Sequence, residues 1–440
     1  MYKEKSIFCF LLVVFSTLMI AGCSPGGETN EENAGNAQNS DSAVNLRVLH
    51  SFSGSQPQAP VIEPALEEFD EEHSDVTLDI QTAPGNDILE QLRTEMSAGD
   101  PPDVFTHWGM RRVQNYIENG LLPDLSESIE ADSDMEDRYI EDAYNPVEYQ
   151  GGIYGLPFQG YSYYLLINPE LFEEHGVEVP TTYEELVTAV EQFNDAGLIP
   201  FAANNHSARY MMLTWFAQKN DTDSLIKYAT AEEPFGEDLR DAADKVAELS
   251  AMGAFPEGYQ SLETAQSFEL FRQGQAPMFY QHSWTAGEID PEMEDQYEVI
   301  PFPLGDQAST PTTIAGTGHF IYMSKEAYED PEKREAAWEL MKKIAGPEVG
   351  RKFVEEIPNP TALNVEYDPA EVSPVMNQIM DFIENDENVV PSYDEQLFSQ
   401  DVEDDYWSMT DQLLQQDLTP EQYVEEMNAL IEEYPSVQFE

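Results

Sequence analysis

With 86 Asp and Glu side chains, this chain holds ample material for one kind of catalysis, because two carboxylates, one protonated and one charged, suffice to hydrolyse a glycosidic bond. That abundance selects nothing, since some pair will fall at a workable separation whatever the chain does. Patterns that would select are missing: the sequence has no His-Glu-x-x-His, no Gly-x-Ser-x-Gly and no glycine-rich phosphate loop. Its cysteines, Cys9 and Cys23, both lie at the N-terminus, so the body offers no thiol nucleophile. The acidic runs Asp132-Ser133-Asp134 and Asp401 to Asp405 lack the spaced ligands and the glycine of a calcium loop and read as solvated surface. Glu263 and Glu269 are candidates to accept hydroxyl protons, with surface charge as the competing reading. More informative are short polar and aromatic groups at the ends of apolar runs. Ser51 and Ser53 follow the first run, and His107 and Trp108 follow Val104-Phe105. Open α/β sheets bind ligands at the carboxyl ends of strands, so all four are candidate binding residues. The alternatives are that the serines cap the helix starting near Pro57 and that His107 bonds to backbone.

The elements that must position these groups alternate in period. Leu46 to Phe52 and Val76 to Thr82 read as strands, and Val61, Ile62, Ala65, Leu66 and Phe69 form a helical stripe between them. A second stripe is centred on Ile88, Leu89, Leu92 and Met96, before a short strand at Pro102 to Phe105. Tyr163 to Ile167 is another strand, followed by a capping box at Thr182 and Glu185 ahead of Leu186, Val190 and Phe193. Pro277 to Tyr280, Tyr297 to Pro301 and His319 to Met323 add strands, and Trp338, Met341 and Ile344 belong to an amphipathic helix with Trp338 in the core. The last helix is capped by Thr419 with Pro420 in its first turn and Gln422 completing the box. This order predicts an α/β protein with parallel pairing.

Charge and the N-terminus bound the setting. A formal net charge of −66, from 86 acidic and 20 basic residues, argues against nucleic acid and anionic lipid as partners. The 41% hydrophobic and 11% aromatic content is nevertheless that of a folded chain rather than an acidic tail. Lys3 and Lys5 precede an apolar stretch from Ile7 to Ile20, too short to span a bilayer comfortably, and small residues follow. Residues 1 to 22 therefore read as a signal peptide. The order Leu18-Met19-Ile20-Ala21-Gly22-Cys23 resembles a bacterial lipobox, which implies lipidation of Cys23 as the first residue of the mature chain. Residues 24 to 43, SPGGETNEENAGNAQNSDSA, are too polar to fold and read as a tether.

A series of landmarks then resembles the extracellular solute-binding proteins of carbohydrate ABC importers, the group that includes maltose-binding protein. Ser97-Ala98-Gly99-Asp100-Pro101-Pro102-Asp103-Val104 resembles the family's "Ala-Gly, then Pro-Asp-Val" segment, and Gly151-Gly152-Ile153-Tyr154-Gly155-Leu156-Pro157 its hairpin before the first crossing between lobes. Leu166-Ile167-Asn168-Pro169-Glu170-Leu171-Phe172 is similar to "Tyr-Asn-Lys-x-Leu-Phe", and Pro180-Thr181-Thr182-Tyr183-Glu184-Glu185-Leu186 to "Pro-x-Thr-Trp-Glu-Glu-Leu" with Tyr for Trp. Phe271 to Met278 with Ser283-Trp284 resembles "Phe-x-x-Gly-Lys-Ala-Ala-Met…Gly-x-Trp", with His282 in place of Gly. Gly316-Thr317-Gly318-His319-Phe320-Ile321 and Lys333 to Ile344 resemble the glycine-rich strand and the helix that follows.

The resemblance implies a two-lobed periplasmic-binding-protein fold with hinge segments and a ligand cleft between the lobes. It places the first lobe at 44–158 plus 314–357 and the second at 159–313 plus 358–440. It implies capture of a neutral sugar or oligosaccharide outside the cell and delivery to ABC transporter permease subunits, by a monomer that meets the membrane only through its lipid, without cofactor or metal. The alternative is a secreted, glycosidase-like enzyme. Few basic residues are expected near the cleft, which disfavours an anionic ligand. A pyranose needs flat aromatic surfaces and fixed donors and acceptors. Trp284 matches the family's ligand-stacking Trp. Tyr161 stands where maltose-binding protein has a ligand-binding carboxylate, a departure that leaves the sugar type open. Tyr210, Trp215 and Trp407 are further candidates with core packing as the competing reading, and Gly316 allows close backbone approach to ligand or across the hinge.

Overall fold

The computed structural model describes residues 43–435 apart from 55, 84–86, 110, 141, 291, 386–388, 393–397 and 399. The signal segment, Cys23 and almost all of the tether lie outside the described residues.

Ten strands are defined among them: β1 (Val44–His50), β2 (Val76–Thr82), β3 (Val104–Trp108), β4 (Glu148–Tyr149), β5 (Gly152–Ile153), β6 (Leu156–Ile167), β7 (Met278–His282), β8 (Glu298–Ile300), β9 (Thr313–Met323) and β10 (Val389–Val390). β4 and β5 form a hairpin. The other eight form one sheet, ordered β2-β1-β3-β9-β6-β7, with β8 beside β6 and β10 beside β9. The α/β class holds, but the expected parallel pairing is confined to β1 with β2, β1 with β3 and β10 with β9. β9 runs antiparallel to β3 and β6, and β7 and β8 antiparallel to β6.

β6 and β9 run through both halves of the body. Leu156 and Phe158 pack in one core with Leu46, Val61, Phe69 and Ile321. From Tyr161 onward, alternate residues of the same strand enter two other cores. Tyr161, Tyr163, Leu165 and Ile167 face one, and Tyr164 and Leu166 the other, as the period of two requires. β9 does the same in reverse, with Ile314 in the second half and Phe320 to Met323 in the first. All twelve residues of β6 are buried, so both of its faces are covered by other elements.

A third segment crosses beside β6. The Gly160 amide donates to the Pro360 carbonyl at 2.8 Å, the Asn359 amide nitrogen to the Gly160 carbonyl at 3.1 Å, and the Thr361 hydroxyl to the Phe158 carbonyl at 3.0 Å. A Cβ on Gly160 would sit 3.0 Å from Pro360 Cβ, so any larger residue would push these backbones apart. Beyond it, the Ile140 amide bonds to Ala362 and the Asn364 amide to Arg138, returning the chain to the first half before it re-enters the second at helix Pro374–Asn385.

Local signals explain the elements that frame the cleft. Helix Tyr183–Ala196 has the expected Thr182/Glu185 box and ends at Gly197 with φ 81°. Thr419 and Gln422 box the start of helix Pro420–Glu433. Helix Asn205–Ala217, boxed by Asn204 and Ser207, is buried from Ser207 onward, which marks it as central to its half. Helix Ala59–Glu72 is preceded by Gln58 with no side-chain cap, so neither Ser51 nor Ser53 serves as its cap. Trp338 is half-buried, its indole N–H donating to Asp132 at 3.0 Å.

Candidate ligand-binding site

β1 and β3 end where β9 leaves for the second half, and their last residues meet an aromatic group. Trp108 pairs with His319 in the sheet, their rings 4.6 Å apart. The Phe52 ring stands 5.1 Å from His319 and 5.9 Å from Phe158. This is the wall contributed by the first half. His107 points the other way along the strand, 2% exposed, with Nδ1 2.9 Å from the Trp108 carbonyl oxygen. Burial lowers its pKa to about 4, so it is a neutral core histidine beneath Trp108. Ser51 is buried at the end of β1 and Ser53 is half-buried beyond it.

The facing wall grows from β6, β7 and helix Asn205–Ala217. His282 ends β7 opposite Tyr163, and Trp284 stacks on it with ring centroids 6.0 Å apart and planes at 22°. Tyr163 lies 4.2 Å from the Tyr210 ring and 4.4 Å from His282. The Tyr210 hydroxyl sits 2.7 Å from His282 Nε2 and 3.1 Å from His206 Nδ1. Arg209 Nη2 also approaches His206 Nδ1, at 3.0 Å. A guanidinium only donates, so Nδ1 accepts and that ring carries its proton on Nε2. Tyr161 folds across Gly318, where a Cβ would be 3.0 Å from its ring, and its hydroxyl accepts the Ser392 amide at 2.8 Å.

Helix Gln400–Leu414 completes this wall. Its Glu403 carboxylate takes two hydrogen bonds, at 2.6 and 2.8 Å, from Arg112 of the first half. Both side chains are buried, 8% and 1% exposed, and the Arg112 guanidinium also lies over Trp108 at 4.9 Å. One turn on, Trp407 is covered by Arg209 at 4.0 Å and flanked edge-on by His206 at 5.4 Å. Burial raises the pKa of Asp411, with a hydrogen bond from Asn205 and the charge of Arg209 opposing the shift. Two of the chain's 20 basic residues, Arg112 and Arg209, are buried here. Glu403 is the carboxylate partner of Arg112, while Arg209 stacks on Trp407 and acts on Asp411 through its charge.

The structure brings Trp108, Tyr161, Tyr210, Trp284 and Trp407 to the two walls, with Ser51 and Ser53 at the adjoining strand end. It places Trp215 elsewhere. That side chain is 1% exposed, donates from Nε1 to the Pro303 carbonyl at 3.1 Å and packs on Tyr183 and Phe302. His107 is beneath the wall rather than on it. Gly316 and Tyr161 line a cavity of about 760 Å³ against the crossing strands, with Thr317, Pro360, Thr361 and Val389. Pro360 packs where a side chain of Gly160 would point, and alternation puts that face of β6 opposite the Tyr161 ring. The cavity is lined from both halves, by Arg111, Asn145 and Glu148 of the first and Thr222, Ile226 and Thr230 of the second, whereas Trp108, Trp284 and Trp407 lie outside its lining. Glu263 caps helix Thr264–Arg272 and Glu269 pairs with Arg272 on the surface. Sequence reasoning missed His319, Arg112, Arg209, Glu403, Tyr163 and His282. The arginines had a signal: in so acidic a chain, Arg111-Arg112 within a turn of Trp108 and Arg209 directly before Tyr210 stand out. Among the described residues no group of three or more His, Cys, Asp or Glu is arranged to hold a metal, and no helix is long and apolar enough to cross a membrane.

Two α/β halves joined by crossing strands, with an aromatic and hydrogen-bonding cluster between them, define a two-lobed binding protein. Residues 53–351 match the family model described as bacterial extracellular solute-binding protein, and the chain belongs to that family. It is a family of binding proteins rather than of enzymes. The chain is 24% identical over 307 residues to the maltotriose-binding protein of Pyrococcus abyssi, covering 67% of this chain and 61% of that one. It is 23% identical over 189 residues to the melibiose/raffinose/stachyose-binding protein of Bacillus subtilis, covering 42% and 40%. Among solved structures, a chitin oligosaccharide binding protein superposes with TM-score 0.80 at 21% identity, over 89% of this chain and 98% of the other.

Proposed function

We propose that the protein captures a neutral sugar or oligosaccharide between its two walls and delivers it to the permease of an ABC importer. The observation that carries this reading is that half-exposed Trp108 belongs to the first half and half-exposed Trp284 and Trp407 to the second, the halves being joined by Arg112, which lies over Trp108 and bonds to Glu403 one turn before Trp407. Flat aromatic surfaces suit the C–H faces of a pyranose, and the Tyr and His groups beside them suit its hydroxyls. The pairing of Arg112 with Glu403 supports a neutral ligand, and the names of the maltotriose-, melibiose/raffinose/stachyose- and chitin oligosaccharide-binding relatives support the class.

Binding acts by population shift. A ligand favours the closed arrangement only through contacts that the open one lacks, and the Arg112–Glu403 pair is such a contact within the protein itself. On this reading the lobes are 44–158 plus 314–357 and 159–313 plus 358–440, with residues 361–364 leaning on the first. Lipidation at Cys23 and a tether to residue 43 would hold a monomer at the outer face of the membrane, where the permease reads the closed form.

The test is a thermal-unfolding screen against melibiose, raffinose, stachyose, maltotriose and chitin oligosaccharides, with the sugars analysed for cleavage afterwards. A ligand that binds only the folded state raises the melting temperature, by about 2.7 kcal/mol of stabilisation at 100 times Kd. A saturable rise with one sugar, no hydrolysis, and loss of the rise in Trp284→Ala are expected. No response to any carbohydrate would overturn the ligand class, and cleavage would restore the enzyme alternative.

A further inference from the structure

We propose that Asp411, with Asn205 and Trp407, forms a subsite that reads a single ligand hydroxyl, a proposal that rests on the carbohydrate reading above. Glu403, Trp407 and Asp411 are spaced four apart on helix Gln400–Leu414 and share one face. At 1.5 Å per residue this line runs about 12 Å from the contact with the first half into the second. Its inner end meets the start of helix Asn205–Ala217, where Asn205 donates to Asp411 and Arg209 covers Trp407.

Three polar atoms in this group are buried with no hydrogen-bond partner among the described residues: Trp407 Nε1, Asp411 Oδ1 and Asn205 Oδ1. Folded proteins rarely leave such atoms unpaired, because each has lost its water without gaining a partner. Here one donor and two acceptors are left on side chains linked through Asp411 and Arg209: Asn205 bonds to Asp411, and Arg209 both covers Trp407 and acts on Asp411. The amide assignment follows from chemistry, since a carboxylate accepts and Asn205 must present Nδ2 to it, leaving Oδ1 over.

The set discriminates among ligands. A cation is repelled by Arg209, and an anion by Asp411. An apolar group would leave all three atoms unpaired. A hydroxyl, which donates once and accepts as well, pairs with the carboxylate or the amide oxygen while taking the indole N–H. Burial without enough donors also raises the Asp411 pKa, as expected of a carboxylate that awaits a hydrogen bond from outside the protein.

The experiment is calorimetric titration of maltotriose, raffinose and chitotriose into the wild type, Asp411→Asn and Asn205→Ala, repeated with monodeoxy analogues of whichever sugar binds. A hydrogen bond to a charged group is worth about 1.5–3 kcal/mol, or about 10- to 150-fold in Kd. Asp411→Asn is expected to weaken the parent sugar by that factor, yet to bind one deoxy analogue within about threefold of the wild type. An unchanged melting temperature of ligand-free Asp411→Asn, measured alongside, separates this loss from one of folding. Equal binding of every sugar by wild type and variant would overturn the subsite and leave the carbohydrate reading standing. An equal loss across all deoxy analogues would also overturn it, by showing a general effect on the wall. Absence of binding by the wild type would overturn the carbohydrate reading, and the subsite with it.

Discussion

The two walls of the cleft are built from different material. The first half presents rings at strand ends: Phe52, Trp108 and His319 pack on one another, and its charged group there, Arg112, reaches across to the other side. The second half presents a hydrogen-bonded layer in which Tyr163, Tyr210, His206, His282 and Ser392 hold each other's polar atoms. Hydroxyl specificity needs donors and acceptors fixed before the ligand arrives, so the second wall is suited to choose the sugar. The first is suited to close over whatever the second has chosen, since a flat aromatic face accepts many orientations.

The largest effect should come from the support of the second wall. Helix Asn205–Ala217 carries His206, Arg209 and Tyr210 near its start and Trp215 near its end, deep in the core. Trp215→Ala removes a fully buried ring and is expected to cost about 3–5 kcal/mol of stability, seen as a lowered denaturant midpoint. Trp284→Ala, at a half-exposed position on the wall, should leave that midpoint nearly unchanged while removing ligand binding. Two tryptophans with the reverse behaviour would invert the assignment of core and site.

The first wall should instead be sensitive to acid. His107 lies beneath Trp108 with a pKa of about 4 in the folded state against 6.5 for an unhindered imidazole. A depressed folded-state value means that the unfolded chain binds the extra proton between those limits, so this group's contribution to stability is complete above about pH 6.5 and is lost as pH falls through 4. The difference amounts to about 3 kcal/mol. Unfolding measured from pH 7 to 4 should show a decline that His107→Gln flattens. An unchanged slope in the variant would mean that this histidine is not held neutral by burial.

How far the sequence revealed each wall follows from the range of the signals. Strand ends were legible because the carboxyl-end rule is local: Trp108 and the serines sit directly after apolar runs. Capping boxes at Thr182 and Thr419 were legible for the same reason. The long strands were not. Tyr163 to Ile167 and His319 to Met323 were evident from their apolar runs, but β6 begins at Leu156 and β9 at Thr313. Gln159, Gly160, Ser162, Gly316, Thr317 and Gly318 break the pattern there, because the backbone passes between the lobes and close to the third segment at Pro360. Antiparallel pairing of β9 was hidden likewise, since pairing partners are set by topology. Trp215 and Trp407 were equal candidates in sequence, Trp407 read as preceding a helix rather than lying within Gln400–Leu414, and only packing separates the core residue from the one under Arg209. Glu403 was one acid among many, and its role depends on Arg112, 291 positions away.

That pair is the contact by which the two walls hold each other, and it offers the sharpest test of their separate roles. Truncating one member of a buried pair typically costs 2–5 kcal/mol or more, much of it from the charge left behind. Here the cost is capped, because Arg112 regains water when the halves part. Glu403→Ala is therefore expected to leave unfolding almost unaltered but to weaken ligand binding by about 2–3 kcal/mol, with the free protein more open by small-angle scattering. Replacing both partners with methionine removes the stranded charge and should recover much of the affinity, since apolar substitutes for a buried ion pair are often neutral. If the double variant binds as weakly as Glu403→Ala, the pair supplies more than closure and one of its members touches the ligand. If instead Glu403→Ala unfolds readily, the two walls form one cooperative core, and the contrast between a choosing wall and a closing wall has to be abandoned.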